Sequence, residues 1–233
     1  MTQFTQQDLN QENPMTQFIV HGMPGSPYGR AVLATLEEKK APYRVSSVAP
    51  GSAKSQPHLS RHPFGRVPTL EHDGYTIYET QAILRYLDRV LPLPSLTPSN
   101  PKDAGLMDQL MNICDWYLMR GVNDVIGFHR IIGPRLLGLA PNEVAIADAM
   151  PKAYVVLNEL SRLLGKKAYL ADEQITLADM LIAPHLDFLA QTPEWTPLTV
   201  ATPNLVSWLQ RMNTRPSLRA TTWEQLTALA NAS

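Results

Sequence analysis

The spacing of hydrophobic residues predicts strands in the first third of the chain and helices after it. Residues 17–21 and 43–47 are short runs with the length and composition of buried strands. Between them, Ser26-Pro27 has the residue types preferred at a helix start, and the apolar positions that follow predict a helix ending near Lys40. Because a strand, a helix and a second strand succeed one another, we expect a parallel pair with a right-handed crossover.

A hairpin and a further helix are predicted next. Residues 67–71 and 75–78 are strand-like, and the short polar turn between them favours antiparallel pairing. Residues 80–90 carry apolar side chains at helical spacing. The intervening residues 49–66 are predicted to be a loop with at most a short helix near 55–60. The order strand–helix–strand, then strand–strand–helix, predicts a small α/β domain.

Prolines mark the end of this domain. Pro92, Pro94, Pro98 and Pro101 lie within ten residues of one another. Neither a helix nor a central strand tolerates that density of proline. Residues 92–102 are therefore predicted to form a stiff linker between two domains.

The remainder of the chain, residues 103–233, is predicted to be an all-helical domain. Its apolar residues recur three to four positions apart, and Pro151 is expected to kink or break one of the helices. At the other end, the tetrapeptide Met-Thr-Gln-Phe occurs twice before the first strand pattern is complete. We therefore predict a flexible extension at 1–14, with the α/β domain covering 15–91.

Composition and charge argue against several classes of function. Hydrophobic residues make up 44% of the 233 residues and the net charge is -1, which gives nucleic-acid binding little electrostatic support. Cys114 is the only cysteine, so an internal disulfide and a cysteine-based metal site are excluded and a reducing, cytoplasmic compartment is favoured. No apolar run reaches the roughly 20 residues of a membrane helix, and the six histidines lack metal-ligand spacing. The predicted protein therefore binds no metal, membrane or nucleic acid.

Several motifs, in a consistent order, carry a resemblance to a known family. They are the first strand–helix turn, a proline-flanked segment before the hairpin, the start of the next helix, and two helical-domain segments: Gly22-Met23-Pro24-Gly25-Ser26-Pro27, Pro63-Phe64-Gly65-Arg66-Val67-Pro68, Glu79-Thr80, Ile175-Thr176-Leu177-Ala178-Asp179 and Pro203-Asn204-Leu205. On these residues, the chain from about 16 to 220 resembles the glutathione transferases, of the cytosolic, bacterial-like type with serine in the active site.

The resemblance implies a fold, a co-substrate and an assembly. The first domain would be thioredoxin-like and bind glutathione, in agreement with the order of elements predicted above. The helical domain would shape a site for a small hydrophobic electrophile. A homodimer that acts in detoxification is also implied, with glutathione as co-substrate and no metal.

Ser26 is implied as the catalytic residue. Its hydroxyl would donate a hydrogen bond to the glutathione sulfur at a helix N-terminus, where the partial positive charge favours a thiolate. The alternative is that Ser26 is only an N-cap. Because Gly29 replaces the Glu or Gln that completes a capping box, that cap is only half built.

Six residues are implied to bind glutathione. The γ-glutamyl end has an ammonium and a carboxylate side by side, which Glu79 as acceptor and Thr80 as donor would satisfy at a helix start. The backbone of Val67, before a proline that is cis in the family, would pair with the cysteinyl part. Two cations, otherwise ordinary surface residues, would hold the glycine carboxylate. The set is Lys54, Arg66, Val67, Pro68, Glu79 and Thr80.

Four residues are suggested for the electrophile pocket: Met23, Tyr28, Tyr117 and Arg120. Some classes of the family use a tyrosine to activate the thiol, which makes Tyr28 a rival to Ser26. Those tyrosines lie in or just after the first strand, whereas Tyr28 follows the predicted helix start. We therefore expect Tyr28 to border the electrophile instead.

Other polar or reactive residues are expected to be structural. Thr176 and Asp179 have the spacing of a capping box, with Ile175 and Met180 placed as a hydrophobic staple. Cys114 lies on an apolar helix face and is predicted to be a buried hydrophobe rather than a nucleophile.

Three functions remain open at this point. The first is conjugation of the glutathione thiolate to a hydrophobic electrophile. The second is glutathione-dependent reduction of disulfides or peroxides. The third is a non-catalytic binding or scaffold protein with a transferase-like fold, which the joint presence of Ser26, Val67-Pro68 and Glu79-Thr80 argues against.

Overall fold

Four strands form one mixed sheet in the order β2-β1-β3-β4. The strands are β1 (Phe18–Gly22), β2 (Tyr43–Ser47), β3 (Thr69–His72) and β4 (Tyr75–Tyr78). Strand β1 runs parallel to β2 and antiparallel to β3, which pairs antiparallel with β4. The computed structural model describes the backbone of residues 18–232 and the side chains of residues 18–227, so the extension predicted at 1–14 lies outside the described residues.

Helices connect these strands in the predicted order. Helix α1 (Pro27–Glu38) joins β1 to β2, and α3 (Thr80–Val90) follows β4. The long loop after β2 contains a 3₁₀ turn at Ser52–Lys54 and the short helix α2 (His58–Arg61). The prediction of a small α/β unit with strand–helix–strand, strand–strand–helix order is therefore confirmed.

Strand β3 begins later than its sequence pattern predicts. The expected strand covered 67–71, whereas the observed one is Thr69–His72. Pro68, which follows a cis peptide bond, has no N–H to donate to a neighbouring strand. The ladder therefore starts only at Thr69.

The second part of the chain is helical, as predicted. Its long helices pack around α7, whose side chains are almost all buried. In chain order the helices are α4 (Pro101–Ile113), a π-helical segment (Cys114–Ile132), α5 (Gly133–Leu137), α6 (Glu143–Leu164), α7 (Leu177–Ala190), α8 (Trp195–Thr199), α9 (Pro203–Thr214), α10 (Pro216–Arg219) and α11 (Trp223–Ala232).

Several helix boundaries differ from the predictions. Pro151 does not break its helix: α6 runs through it, because losing one backbone hydrogen bond is outweighed by a buried face on either side of the proline. The interruption falls instead inside the π-helical segment, where Arg120 has an extended ψ of 116° and Gly121 a φ of 83°. Pro101, expected within the linker, is the first residue of α4, with Asn100 accepting from the Lys102 N–H.

The sequence pattern of residues 217–230 predicts one helix, whereas the structure has two, α10 and α11. The break lies at residues 220–222. Thr222 Oγ1 accepts a long hydrogen bond of 3.4 Å from the Gln225 N–H, which begins a new helical turn there. The polar threonines at the break thus end one helix and start the other.

Helix α1 lies at the centre of the molecule, and buried apolar side chains from both parts of the chain form one continuous core around it. Two ion pairs link α1 to helices near the C-terminus: Arg30 with Asp187, and Glu38 with Arg215. At its C-cap, the buried Lys39 ammonium donates to Asp88 at 2.5 Å. These contacts fix the orientation of α1 and of the loop that precedes it.

Within residues 18–232, no helix has the length and apolar character needed to cross a membrane. The same part of the chain contains no group of three side chains arranged to ligate a metal ion.

Candidate active site

One cavity of about 630 Å³ lies where the α/β part meets the helical part. Its α/β wall comes from the loop before α1, the segment before β3 and the start of α3. Its helical wall comes from the π-helical segment, α5 and α7. The residues that line the cavity include Met23, Gly25, Ser26, Tyr28, His62, Arg66, Val67, Pro68, Glu79, Thr80, Asp115, Trp116, Arg120, Asn123, Phe128, Leu136 and Phe188.

Ser26 lies at the N-cap of α1 and faces this cavity. Its Oγ accepts a hydrogen bond of 3.2 Å from the Gly29 N–H, so the half-built cap predicted from the sequence is present. A hydroxyl has one O–H donor as well as acceptor lone pairs. Capping therefore leaves the Ser26 proton free to be donated to a ligand.

Glu79 and Thr80 also line the cavity, at the start of α3. Glu79 has a φ of 69°, a left-handed conformation that is costly for a non-glycine residue and is concentrated at functional sites. It occupies the N-cap through its backbone, since its carbonyl accepts from Ile83, but its carboxylate makes no capping bond. Thr80 is the first helical residue rather than the cap. The Glu79 carboxylate is thus not used by α3 and can accept from a ligand.

The other residues predicted to bind glutathione are divided between the lining and its margin. Val67 and Pro68 line the cavity across a cis peptide bond, and the exposed Arg66 lines it as well. Lys54 is not part of the lining. Its side chain runs beside Gly65, where a Cβ would lie 3.1 Å from Lys54 Cγ, so it stays at the margin of the cavity.

His62 is a lining residue that the sequence analysis did not assign. It is 2% exposed, its ring centre lies 4.7 Å from that of Tyr78, and its Nδ1 has no hydrogen-bond partner among the described residues. Burial lowers the pKa of His62, although the nearby Glu79 opposes the shift, so the ring is neutral near pH 7. The sequence signal that could have identified His62 is its position directly before the Pro63-Phe64-Gly65 motif.

Three of the four residues suggested for the electrophile pocket line the cavity: Met23 from the loop before α1, Tyr28 from α1, and Arg120 from the π-helical segment. Tyr117 does not, and the suggestion for it is corrected. Tyr117 is 62% exposed, and the adjacent Trp116, itself 58% exposed, lines the cavity instead. The Arg120 guanidinium carbon lies 4.5 Å from the centre of the Trp116 ring in a cation–π contact.

Tyr28 is not free to activate a thiol. Its hydroxyl donates to Asp115 Oδ1 at 2.8 Å, and the other Asp115 oxygen accepts from Gln81 at 2.7 Å. Burial, reinforced by Cys114 and Asp115, raises the pKa of the Tyr28 phenol well above its usual value. The phenol therefore stays protonated and its proton is held by a carboxylate, so that of Ser26 and Tyr28 it is Ser26 whose hydroxyl can donate to a ligand.

Much of the helical wall was not predicted. Asp115, Asn123, Phe128, Leu136 and Phe188 come from three different helices, and no local motif joins them. The interruption at Arg120 and Gly121 changes which side of the π-helical segment faces the cavity. A helical periodicity extrapolated through residue 121 could not identify that face.

The capping box of α7 is present, away from the cavity lining. Asp179 Oδ2 accepts from the Thr176 N–H at 2.9 Å and from the Thr176 hydroxyl at 2.8 Å. Its other oxygen accepts from the Leu170 N–H at 2.8 Å and from the Trp208 indole at 3.0 Å. Asp179 therefore does more than the capping predicted for it. Its buried carboxylate also links α7 to the loop at Leu170 and, through Trp208, to α9.

The fold and the cavity together define a class: a thioredoxin-like unit followed by a helical unit, with a ligand cavity where they meet. Residues 20–95 match the N-terminal domain of glutathione S-transferases, and residues 108–216 match their C-terminal domain. The chain accordingly belongs to the glutathione S-transferase family.

Individual relatives agree with this assignment. Glutathione S-transferase F14 of Arabidopsis thaliana is 31% identical over 194 residues, which cover 80% of this chain and 76% of that protein. The crystal structure of glutathione transferase F7 from Populus trichocarpa superposes with a TM-score of 0.78 at 25% identity, covering 92% of this chain and 99% of that one. A glutathione S-transferase from Rhodospirillum rubrum F11 gives 0.76 at 26% identity, covering 88% and 91%.

Proposed function

We propose that this protein transfers glutathione to small hydrophobic electrophiles, with Ser26 as the residue that activates the thiol. The observation that carries the proposal is that one cavity has two chemically different walls. One wall presents Ser26, Glu79 and Thr80, and the other presents a cluster of aromatic and aliphatic side chains together with a few polar ones, among them Asp115, Arg120 and Asn123. A tripeptide thiol and an apolar partner could therefore lie side by side.

Glutathione would bind along the α/β wall. The γ-glutamyl end would meet Glu79, whose carboxylate is unused by its helix, and Thr80 at a helix N-terminus. The cysteinyl part would pair with the Val67 backbone beside Pro68, and Arg66, with Lys54 at the margin, would attract the glycine carboxylate. In this proposal residues 15–91 are the glutathione-binding domain, 92–102 the linker, and 103–233 the domain that shapes the electrophile site.

The electrophile would bind against Trp116, Phe128, Leu136 and Phe188, with Met23, Tyr28 and Arg120 nearby. The thiolate sulfur attacks the electrophilic carbon and forms the carbon–sulfur bond. With an aryl halide, the halide then leaves with the electron pair of its bond to carbon. The thiol proton is released to solvent.

The size of the thiol pKa shift limits how much Ser26 can contribute to the rate. A free thiol has a pKa of about 8.5, so roughly 3% is ionised at pH 7. Lowering that pKa by about two units needs about 2.7 kcal/mol and raises the ionised fraction about 25-fold. The thiolate also becomes a weaker nucleophile, which reduces that gain by about 6–10-fold. Acidification thus contributes about threefold to fourfold, and positioning beside the electrophile must supply any larger acceleration.

The proposal is tested by binding and by turnover. Purified protein should be retained on immobilised glutathione and eluted by free glutathione. It should then convert an activated aryl chloride in a reaction that requires glutathione. Turnover of a glutathione mixed disulfide without turnover of the aryl chloride would favour the reductase alternative, and neither retention nor turnover would favour the non-catalytic one.

We further propose a homodimer that acts in detoxification in the cytoplasm. Phe64 supports an apolar contact between copies, because 68% of its side chain is exposed beside the glutathione wall, in edge contact with Tyr78. Light scattering should give twice the chain mass for the wild type, and Phe64→Ser should shift the protein toward monomer. A wild-type monomer at micromolar concentration would contradict this assembly.

A further inference from the structure

Trp223, the first residue of α11, lies against the back of the loop that carries Ser26. Gly25 has a φ of 86°, and a Cβ built on it would lie 2.3 Å from Cζ3 of the Trp223 ring. That distance is shorter than real Cβ atoms approach other atoms. The indole therefore occupies the place of a side chain at position 25, in direct contact with the backbone that precedes Ser26.

Trp223 also contacts the helical wall of the active site. The Arg135 guanidinium carbon lies 4.0 Å from the centre of a Trp223 ring, within cation–π distance. Arg135 belongs to α5, and its neighbour Leu136 lines the main cavity. One side chain near the C-terminus thus touches both the Ser26 loop and the rim of the electrophile wall.

The Ser26 loop has open space on two sides. Residues 25–27 line the main cavity and also a second cavity of about 210 Å³ behind it, whose lining includes Trp223, Arg30 and Asp187. Within the turn, the Ser26 N–H donates to the Met23 carbonyl at 3.2 Å, and the Ser26 carbonyl accepts from Arg30. Truncating the indole would enlarge the rear cavity, and the loop could then move back into it.

We propose that Trp223 is a positioning residue for Ser26. By filling the space behind Gly25, the indole fixes how far the Ser26 hydroxyl extends into the main cavity, and hence its hydrogen bond to the glutathione sulfur. This inference rests on the proposed role of Ser26. It assigns to the C-terminal helix α11 a part in catalysis without contact with either substrate.

The test compares Trp223→Ala, Trp223→Phe and the control Trp195→Ala. Trp195 is partly buried on α8 and lines neither cavity, so its truncation controls for general loss of stability. Two quantities are measured in each folded variant: the pKa of the bound glutathione thiol, from thiolate absorbance across pH, and kcat with an aryl chloride. Affinity for glutathione is measured by calorimetry.

For Trp223→Ala we expect kcat to fall about tenfold, since small misplacements of a catalytic group are costly. The bound thiol pKa should rise, while glutathione affinity stays within about threefold, because Glu79 and Thr80 line the main cavity and not the one that Trp223 lines. Trp223→Phe should restore most of kcat. The Trp195→Ala control should leave the thiol pKa unchanged.

If Trp223→Ala does not fold, Trp223→Leu and Arg135→Ala carry the test, with a smaller rise in thiol pKa expected from each. Unchanged thiol pKa and kcat in every folded variant, with an active wild type, would overturn the positioning role alone. A wild type that neither binds glutathione nor turns over the aryl chloride would contradict the proposed function, and the positioning role with it.

Discussion

The Ser26 hydroxyl has two partners that do not compete. It accepts from the Gly29 N–H as an N-cap, and its own proton remains for a ligand in the main cavity. Because Oγ is held by the helix it caps, the donor atom has a fixed position before any thiol arrives. This prior placement is what electrostatic stabilisation of a developing thiolate requires.

Ser26→Ala should separate the two roles. Losing the cap should lower the free energy of unfolding by about 0.5–2 kcal/mol. Losing the donor should raise the bound thiol pKa by up to about two units and lower kcat at pH 7 at least about threefold. Denaturant unfolding measures the first effect, and thiolate titration with steady-state kinetics measures the second. Ser26→Thr, which keeps the hydroxyl, is the matched control, and intact activity in Ser26→Ala would remove Ser26 from catalysis.

His185 should make stability depend on pH. It is fully buried on α7, its Nδ1–H donates to the Leu181 carbonyl at 2.8 Å, and its ring packs edge-on against Tyr28. Burial lowers the pKa of His185 to about 4, opposed by the Leu181 bond and by Asp115. The unfolded chain therefore binds the proton first as the pH falls.

Stability contributed by neutral His185 is complete above about pH 6.5 and is lost progressively as the pH falls toward the folded-state pKa of about 4. The total loss is on the order of 3 kcal/mol. Urea unfolding across this pH range should show that the free energy of unfolding falls more steeply with decreasing pH for the wild type than for His185→Leu. Equal slopes for the two proteins would contradict the assignment of this pH dependence to His185.

At the scale of elements, local chemistry was sufficient where helix or strand ends are fixed by their own residues. The start of α1 at Ser26-Pro27 and the span of α3 follow from capping and periodicity. The break at Arg120 and Gly121 also has a local cause, because Gly121 takes a φ of 83° and its N–H donates to Asp124 Oδ1, but helical periodicity alone does not reveal it. The unbroken α6, by contrast, reflects its buried face rather than the propensity of Pro151.

The hydrogen bonds of the Asp179 carboxylate predict unequal effects from the two capping residues. Thr176→Ala should cost about 0.5–2 kcal/mol of unfolding free energy. Asp179→Ala should cost more, about 3 kcal/mol or above, because it leaves the Leu170 N–H and the Trp208 indole buried without an acceptor. Trp208→Phe, which removes the indole N–H together with part of a buried ring, is the intermediate control. Equal losses for Thr176→Ala and Asp179→Ala in urea unfolding would reduce Asp179 to a simple cap.

At the scale of the whole molecule, the two halves of the cavity were predictable to different degrees. The α/β wall is built from contiguous motifs, so Val67-Pro68 and Glu79-Thr80 could be recognised in the sequence. The helical wall brings together residues such as Trp116, Leu136 and Phe188, which only the packed helices place near one another. Tyr117 shows the limit, since the residue that lines the cavity is its neighbour Trp116, one position away on the same helix.

Cys114 has a consequence for how long such a catalyst survives. A protein that gathers reactive electrophiles risks being alkylated by them, and a cysteine is the most vulnerable target. Here the sole cysteine lies in the core, and burial raises the pKa of its thiol far above the usual value. The folded protein therefore lacks an accessible thiol of its own, and only the thiol of bound glutathione is consumed.

Prolonged incubation with an aryl chloride in the absence of glutathione should accordingly leave activity intact. Mass spectrometry should find no adduct at Cys114 until denaturant exposes it, because neither a thiolate nor a path for the reagent exists in the folded state. Cys114→Ser provides the mass control. Inactivation of the wild type together with a Cys114 adduct under native conditions would show that the core opens during the incubation.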